Sequence, residues 1–280
     1  MTTIALTGAT GTIGGLVAHD LVERGLEPRL LVRDPDRAPD LGLPLWRCDY
    51  DDAAGLREAL AGVDALLLVS AHESADRVEQ HRTVVEAAAD AGVGHLVYTS
   101  FVGAAAGAGF TLARDHGATE DLVRDAGLSS TFLRDNFYAE VFAHFAGEDG
   151  VIRGPAGQGR VAAVSQHDVA AVAAAVLSDL DAHRDRTYDL TGPEAFTLDE
   201  AAATLTEVTG RPHRFHDETL EEARESRAPY GAPDWQVDAW ISTYTAIRDG
   251  ELETVSDAVP TILGRPATGL REALRRAAGQ

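Results

Sequence analysis

Apolar positions fall into two rhythms along this chain. Short, nearly unbroken apolar runs alternate with longer stretches in which apolar side chains return every three or four residues. The runs at 4–6, 28–32, 43–48, 63–69, 93–99 and 130–133 predict strands, and those at the centre read as buried on both faces, as in a parallel sheet. Leu16, Val17, Leu21 and Val22 share one helical face after the first run, and 53–60, 76–91 and 111–125 also read as helices. Strand–helix alternation from 3 to 145 predicts an α/β fold, a Rossmann-type doubly wound parallel sheet.

The rhythm loosens after Gly147. An alanine-rich helix is expected at 168–180 and short strands at 187–190 and 212–215. Thr197 with Glu200 three residues on spells a capping box. The stretch 220–278 reads as helical, broken at Pro229, Pro233, Gly250 and Pro266. The expected division is 1–150 for the sheet domain and 151–280 for a smaller, mostly helical substrate lobe interleaved with it. Two glycine-rich connections, 103–109 and 154–159, are expected to serve as a substrate loop and to reach the rim of a cleft.

Between the first run and the first helix stands Thr7-Gly8-Ala9-Thr10-Gly11-Thr12-Ile13-Gly14. Strand, glycine turn and helix in that order form a phosphate-binding element. Gly8 lets the chain leave the strand tightly, Gly11 leaves the backbone open to a pyrophosphate, and Gly14 lets the helix lie close to the sheet. The helix N-terminus adds unpaired N–H groups and a partial positive charge. The position after the second strand meets the adenosine ribose of a dinucleotide. Arg33 there favours the 2′-phosphate of NADP, with Asp34 as a competing acid and a surface arginine beside Pro35 as the plain alternative. Asp49 has two readings, a contact at the adenine edge and a helix N-cap. Ser70, Ala71 and His72 end the fourth strand, where open α/β sheets place their ligands. Thr99 and Ser100 end the fifth and offer hydroxyls to a nicotinamide and substrate.

Composition narrows the chemistry. The 280 residues carry a net charge of −21, which disfavours nucleic acid as a partner. The chain has no lysine, so every basic side chain other than histidine is arginine. That removes a P-loop lysine, a Schiff-base lysine and any Tyr-x-x-x-Lys pair. No apolar run nears the roughly 18 residues of a membrane span. The first strand begins within four residues of Met1, so no signal peptide is expected, and the single Cys48 can form no internal disulfide. Both agree with a cytoplasmic protein. His213 and His216 are too few for a metal centre, and no Ser-His-Asp order with a nucleophile elbow occurs.

Several stretches together carry a family resemblance. In order they are 7–14, Val32-Arg33-Asp34-Pro35, Asp49-Tyr50, 66–70, Gln80-His81-Arg82, Tyr98-Thr99-Ser100, 133–138, Thr197-Leu198, Gly250-Glu251-Leu252 and Leu263-Gly264-Arg265-Pro266. Over essentially its whole length the chain resembles the NmrA-like branch of the atypical short-chain dehydrogenases/reductases, and within it the type-2 NAD(P)H:quinone oxidoreductases. The resemblance implies that residues 8–13 bind the pyrophosphate and Arg33 the 2′-phosphate. It implies that Ser70, Ala71 and His72 lie along the cofactor, and that 135–140, with Asn136, Phe137 and Tyr138, closes over the nicotinamide end. Two departures stand out. Arg134-Asp135-Asn136 replaces the Arg-Asn-Gly common in those reductases, and a basic residue expected near Gln166 is missing.

Where standard short-chain dehydrogenases carry Tyr-x-x-x-Lys, this chain has His116-Gly117-Ala118-Thr119-Glu120. Alcohol oxidation by the usual tyrosine is therefore disfavoured. A quinone or enone is already electrophilic and asks chiefly for positioning. His116 and Tyr138 are the catalytic candidates. His116 is read either as a proton donor to the forming hydroquinone or as a helix-surface side chain paired with Glu120. Phe137 and Tyr138 are read as stacking on quinone or nicotinamide, or as packing on the sheet. Trp235, Trp240 and Tyr244 are read as lining a pocket or as plain core. The expected function is an NADPH-dependent oxidoreductase of small electrophiles, and the alternative is a non-catalytic NAD(P)-sensing regulator. A homodimer is compatible with either, and the sequence leaves the oligomeric state open.

Overall fold

The structure, a computed structural model, describes residues 2–279. Strands β1 (Ile4–Leu6), β2 (Arg29–Val32), β3 (Leu45–Arg47), β4 (Ala65–Leu68), β5 (His95–Phe101) and β6 (Ser130–Asp135) follow the apolar runs. Helices α1 (Thr12–Glu23), α2 (Ala53–Leu60), α3 (Arg77–Asp90) and α4 (Thr111–Asp125) stand between them. Then come α5 (Phe142–Phe145), β7 (Val151–Gly154), β8 (Arg160–Val161), α6 (Gln166–Ser178), α7 (Leu180–His183) and β9 (Arg186–Leu190). The remainder is β10 (Phe196–Thr197), α8 (Leu198–Thr209), β11 (Arg214–Asp217), α9 (Leu220–Arg227), α10 (Asp234–Arg248), α11 (Ala258–Leu263) and α12 (Leu270–Ala277).

Seven strands form one sheet in the order β3-β2-β1-β4-β5-β6-β9. β1 pairs in parallel with β2 and β4, so Leu6 lies opposite both Leu30 and Leu67. The chain winds outward from β1 to β3 and then crosses back to β4. This reversal opens a crevice at the carboxyl ends of β1 and β4, the usual ligand position in such sheets. Leu66, Leu68, Leu96 and Tyr98 pack on Leu56, Leu60, Val84 and Ala88 of α2 and α3. Burying one leucine in this way stabilises the fold by about 2 kcal/mol. Elsewhere in the same unit α1 packs against α6. Val17 and Leu21 are fully buried on α1, as are Val169, Val172 and Ala173 on α6. The small alanines of α6 permit a close approach.

The chain divides into two compact units, each built from several segments. The first comprises Met1–Ala104, Asp115–Arg134 and Gln166–Asp189; the second takes Ala105–Arg114, Asp135–Ser165 and Leu190–Gln280. The units interleave because α6 returns to cover α1 and most of β9 returns to the sheet edge. Within the second unit β10 pairs antiparallel with β8, and β11 parallel with β7. The Thr197–Glu200 capping box starts α8 as read from the sequence. β11 begins two residues later than expected; Pro212 has no N–H to give to a ladder.

Candidate cofactor site

The glycine turn has the geometry its sequence asks for. Gly8 adopts φ +66, a left-handed conformation suited to glycine. A Cβ there would also stand 2.9 Å from the Val69 Cβ. A Cβ on Gly14 would overlap the Gly8 carbonyl oxygen, so the bare helix backbone is what lets α1 start against the turn. The Gly11 N–H donates to the Gly8 carbonyl at 2.9 Å and closes the turn. Gly11 and Thr12 are exposed, while Ala9 and Ile13 point into the core. No side chain caps the α1 N-terminus and no acid occupies its first turn. An anion with several acceptor oxygens fits this open, electropositive backbone.

Arg33 follows β2 and is exposed, with Asp49 at 4.0 Å. Two exposed charges at that distance hold each other weakly. Asp34 is committed elsewhere: its carboxylate accepts from the Asp36 N–H and caps the turn Pro35–Arg37. Arg33 is thus the exposed cation at the end of β2, beside an acid that uses one oxygen within its own turn. The N-cap reading of Asp49 is overturned, since α2 is capped by Asp52, which accepts from the Gly55 N–H. Tyr50, matched in the resemblance but given no role, ties the site together. Its hydroxyl donates to the Val69 carbonyl at 2.6 Å and lies 2.6 Å from Thr7 Oγ1. It thereby pins the ends of β1 and β4 beside the turn.

Ser70, Ala71 and His72 leave β4 at the crevice. The Ser70 N–H donates to Thr99 Oγ1 at 2.8 Å, and the Ala71 N–H donates to His81 Nε2 at 2.9 Å. Thr119 donates its own hydroxyl hydrogen to the Asp115 carbonyl, so His81 Nδ1 must be the donor in its 2.8 Å contact with Thr119. His81 is therefore neutral, with its proton on Nδ1. Burial, helped by the charge of Arg77, pushes its pKa down to about 3. Thr99 thus shapes the loop after β4. Ser100 is buried, and its hydroxyl donates to Glu120 Oε1 at 2.6 Å. His72 is exposed.

His116 is neither on the surface nor paired with Glu120. It is 6% exposed. Arg77 donates to its Nε2 at 2.9 Å, which places the ring proton on Nδ1, where it is given to the Tyr98 hydroxyl at 2.9 Å. Burial, together with the charges of Arg77 and His81, lowers its pKa well below the ordinary value. A neutral imidazole with both nitrogens engaged has no proton ready for a substrate. Glu120, at the position of the usual lysine, faces Arg134 through two bonds of 2.8 and 2.7 Å and Arg124 through one of 2.8 Å. Burial alone would raise its pKa, but the hydrogen bonds from Arg134 and Ser100 and the Arg134 charge outweigh it and hold the carboxyl below its usual range.

In the second unit, Asn136 is buried and committed. Its amide donates to the Leu252 carbonyl at 3.0 Å and accepts from the Phe137 N–H at 2.8 Å. The Phe137 ring meets Phe110 edge-on, 5.1 Å between centroids. The half-buried Tyr138 donates its hydroxyl to Asp135 Oδ2 at 2.9 Å. Asp135 is 2% exposed, and its other oxygen has no partner among the described residues. Burial drives its pKa well above normal, against the opposing Tyr138 bond. The resemblance marks Asp135 only as a departure within 135–140 and gives it no role of its own.

A glycine turn at the reversal point of a doubly wound sheet, with an arginine after the second strand, defines a dinucleotide-binding protein of the Rossmann type. The profile of an NAD(P)H-binding family matches residues 8–180, and the chain belongs to this NAD(P)H-binding, NmrA-like family. It is 35% identical to quinone oxidoreductase 2 of Escherichia coli (strain K12) over 97% of each chain. It is 33% identical to the NAD(P)H azoreductase of Xenophilus azovorans over 96% of each. Among solved structures, an NADPH complex of the Escherichia coli quinone oxidoreductase superposes with a TM-score of 0.90 at 34% identity, covering 98% of this chain and 99% of that one. A triphenylmethane reductase from Citrobacter superposes with a TM-score of 0.87 at 33% identity, covering 99% of this chain and 100% of that one.

Proposed function

We propose that the protein is an NADPH-dependent reductase of conjugated electrophiles, with quinones as the leading acceptor class. The observation that carries this reading is the open glycine turn with Arg33 beside it, in a chain that lacks the tyrosine–lysine pair of alcohol chemistry. The named activities of relatives at similar identity, on quinones, azo compounds and triphenylmethane dyes, share conjugated acceptors. In this reading residues 8–14 hold the diphosphate, Arg33 meets the 2′-phosphate, and residues 70–72 lie along the cofactor. Bound NADPH supplies the hydride.

A quinone that has gained a hydride still needs one proton on oxygen. We assign that proton to the Tyr138 hydroxyl. Asp135 stands behind it, and burial without a cation keeps this carboxyl in its neutral, protonated form. With the proton on Oδ2, the same 2.9 Å contact runs from Asp135 to Tyr138, so the phenol's own hydrogen is no longer given to Asp135. After transfer, the phenol recovers its proton from Asp135, and solvent restores the acid. His116 serves instead as a strut between Arg77 and Tyr98.

The test is NADPH oxidation with a panel of benzoquinones, naphthoquinones, enones and azo dyes. Consumption with at least one is expected, and Tyr138→Phe lowers kcat by about a hundredfold. Arg33→Ala weakens NADPH by about tenfold and leaves NADH unchanged. Tight NADPH binding with no turnover of any acceptor overturns the reductase reading and leaves the cofactor sensor.

A further inference from the structure

A cavity of about 540 Å³ lies wholly inside the second unit, walled by α9, α10, β7 and the segment around α5. Its size sits within the ordinary range of small-molecule pockets. Trp240 and Tyr244 both face it from α10, four residues apart, so two rings stand side by side along one wall. Tyr244 is fixed in place. Gly154 of β7 passes so close that a Cβ there would overlap the ring, and the Arg227 guanidinium lies 5.2 Å over it. Phe145 adds a third ring, 6.0 Å from Tyr244 between centroids. Tyr230 meets Trp240 edge-on at 5.8 Å and is itself 74% exposed, which makes it the outer wall.

The two cations at the cavity already have anions. Buried Arg227 donates to Glu218 at 2.9 Å, and to the Ala223 carbonyl and the Ser226 hydroxyl. Arg153 is paired with Asp149 through two bonds. The lining therefore offers aromatic surface without an unbalanced positive charge. A carboxylate entering it would lose water and gain no free cation. An uncharged ring system loses little and gains stacking.

We propose that this cavity binds flat, uncharged aromatic molecules of two or three fused rings. This is a claim about binding and stands apart from the reductase reading. The direct probe is 1-aminoanthracene, neutral in neutral buffer and brighter in apolar surroundings, titrated into the whole protein without NADPH. Saturable binding is expected, with energy transfer from the tryptophans of α10, Trp235 and Trp240. Tyr230→Ala, at an exposed position, weakens it by about tenfold. Trp240→Leu weakens it at least as much. Anthracene-9-carboxylate binds at least tenfold more weakly than the amine. NADPH titration of each variant confirms that the first unit is intact. Absence of saturable binding, equal binding of the carboxylate, or binding untouched by both substitutions overturns the proposal. Probe binding without quinone turnover leaves it standing while the reductase reading falls; turnover without probe binding does the reverse.

Discussion

At Gly14 a single methyl group separates a closed turn from a clash, because a Cβ there would overlap the Gly8 carbonyl oxygen. Backbone is on both sides of that contact, so relief requires the helix or the turn to move. Gly14→Ala is expected to weaken NADPH at least tenfold and to cost about 1–3 kcal/mol of stability. Fluorescence titration and urea unfolding read the two effects separately, and an unchanged affinity would mean the turn is not the phosphate cradle. The glycines were legible in the sequence because a backbone demand selects the residue type at that position. His116 was not. Its role depends on Arg77 and Tyr98, 39 and 18 residues away, and no local pattern announces them.

The helices α3 and α4 show the same contrast at the next scale. Their spans were readable from periodicity, and α3 runs within one residue of its expected limits at each end. Their buried polar faces were not readable. Arg77 and His81 on α3 meet His116 and Thr119 on α4 in a closed hydrogen-bonded cluster. This cluster has a pH signature. The folded state keeps His81 neutral down to about pH 3, while an unfolded histidine takes a proton near pH 6.5. The depressed pKa gives stability that is complete above the unfolded value and declines as pH falls towards the folded one. The urea midpoint is therefore expected to drop as pH falls below about 6.5. His81→Gln removes up to about 1.4 kcal/mol per pH unit of that slope. Parallel slopes for the two proteins would refute the assignment of His81 as neutral.

For the whole molecule, the decisive feature is that the first unit is not contiguous. Its sheet edge and the cover of α1 come from 166–189, after an excursion into the second unit. A fragment ending at residue 150 would expose Val17 and Leu21, both fully buried in the intact chain. It is expected to be insoluble or molten, lacking a cooperative thermal transition, whereas a chain that retains 166–189 keeps one. A soluble, NADPH-binding 1–150 fragment would show that the sheet domain closes without α6. No helix among the described residues is long and apolar enough to cross a membrane.

Sequence alone determined what neighbouring residues settle between themselves. The strand runs, the phosphate turn, the position of Arg33 after β2 and the Thr197 cap all answer to backbone geometry or to burial along one short segment. Tertiary structure decided the fate of the polar side chains and the division of the chain. Ser100 and Asn136 point inward, Glu120 joins two arginines, and Asp135 sits buried behind Tyr138 because of what the fold places beside them. A polar side chain has the same chemistry in water and in the core. Only its folded neighbours determine whether its hydrogen bonds close within the protein or remain for a ligand.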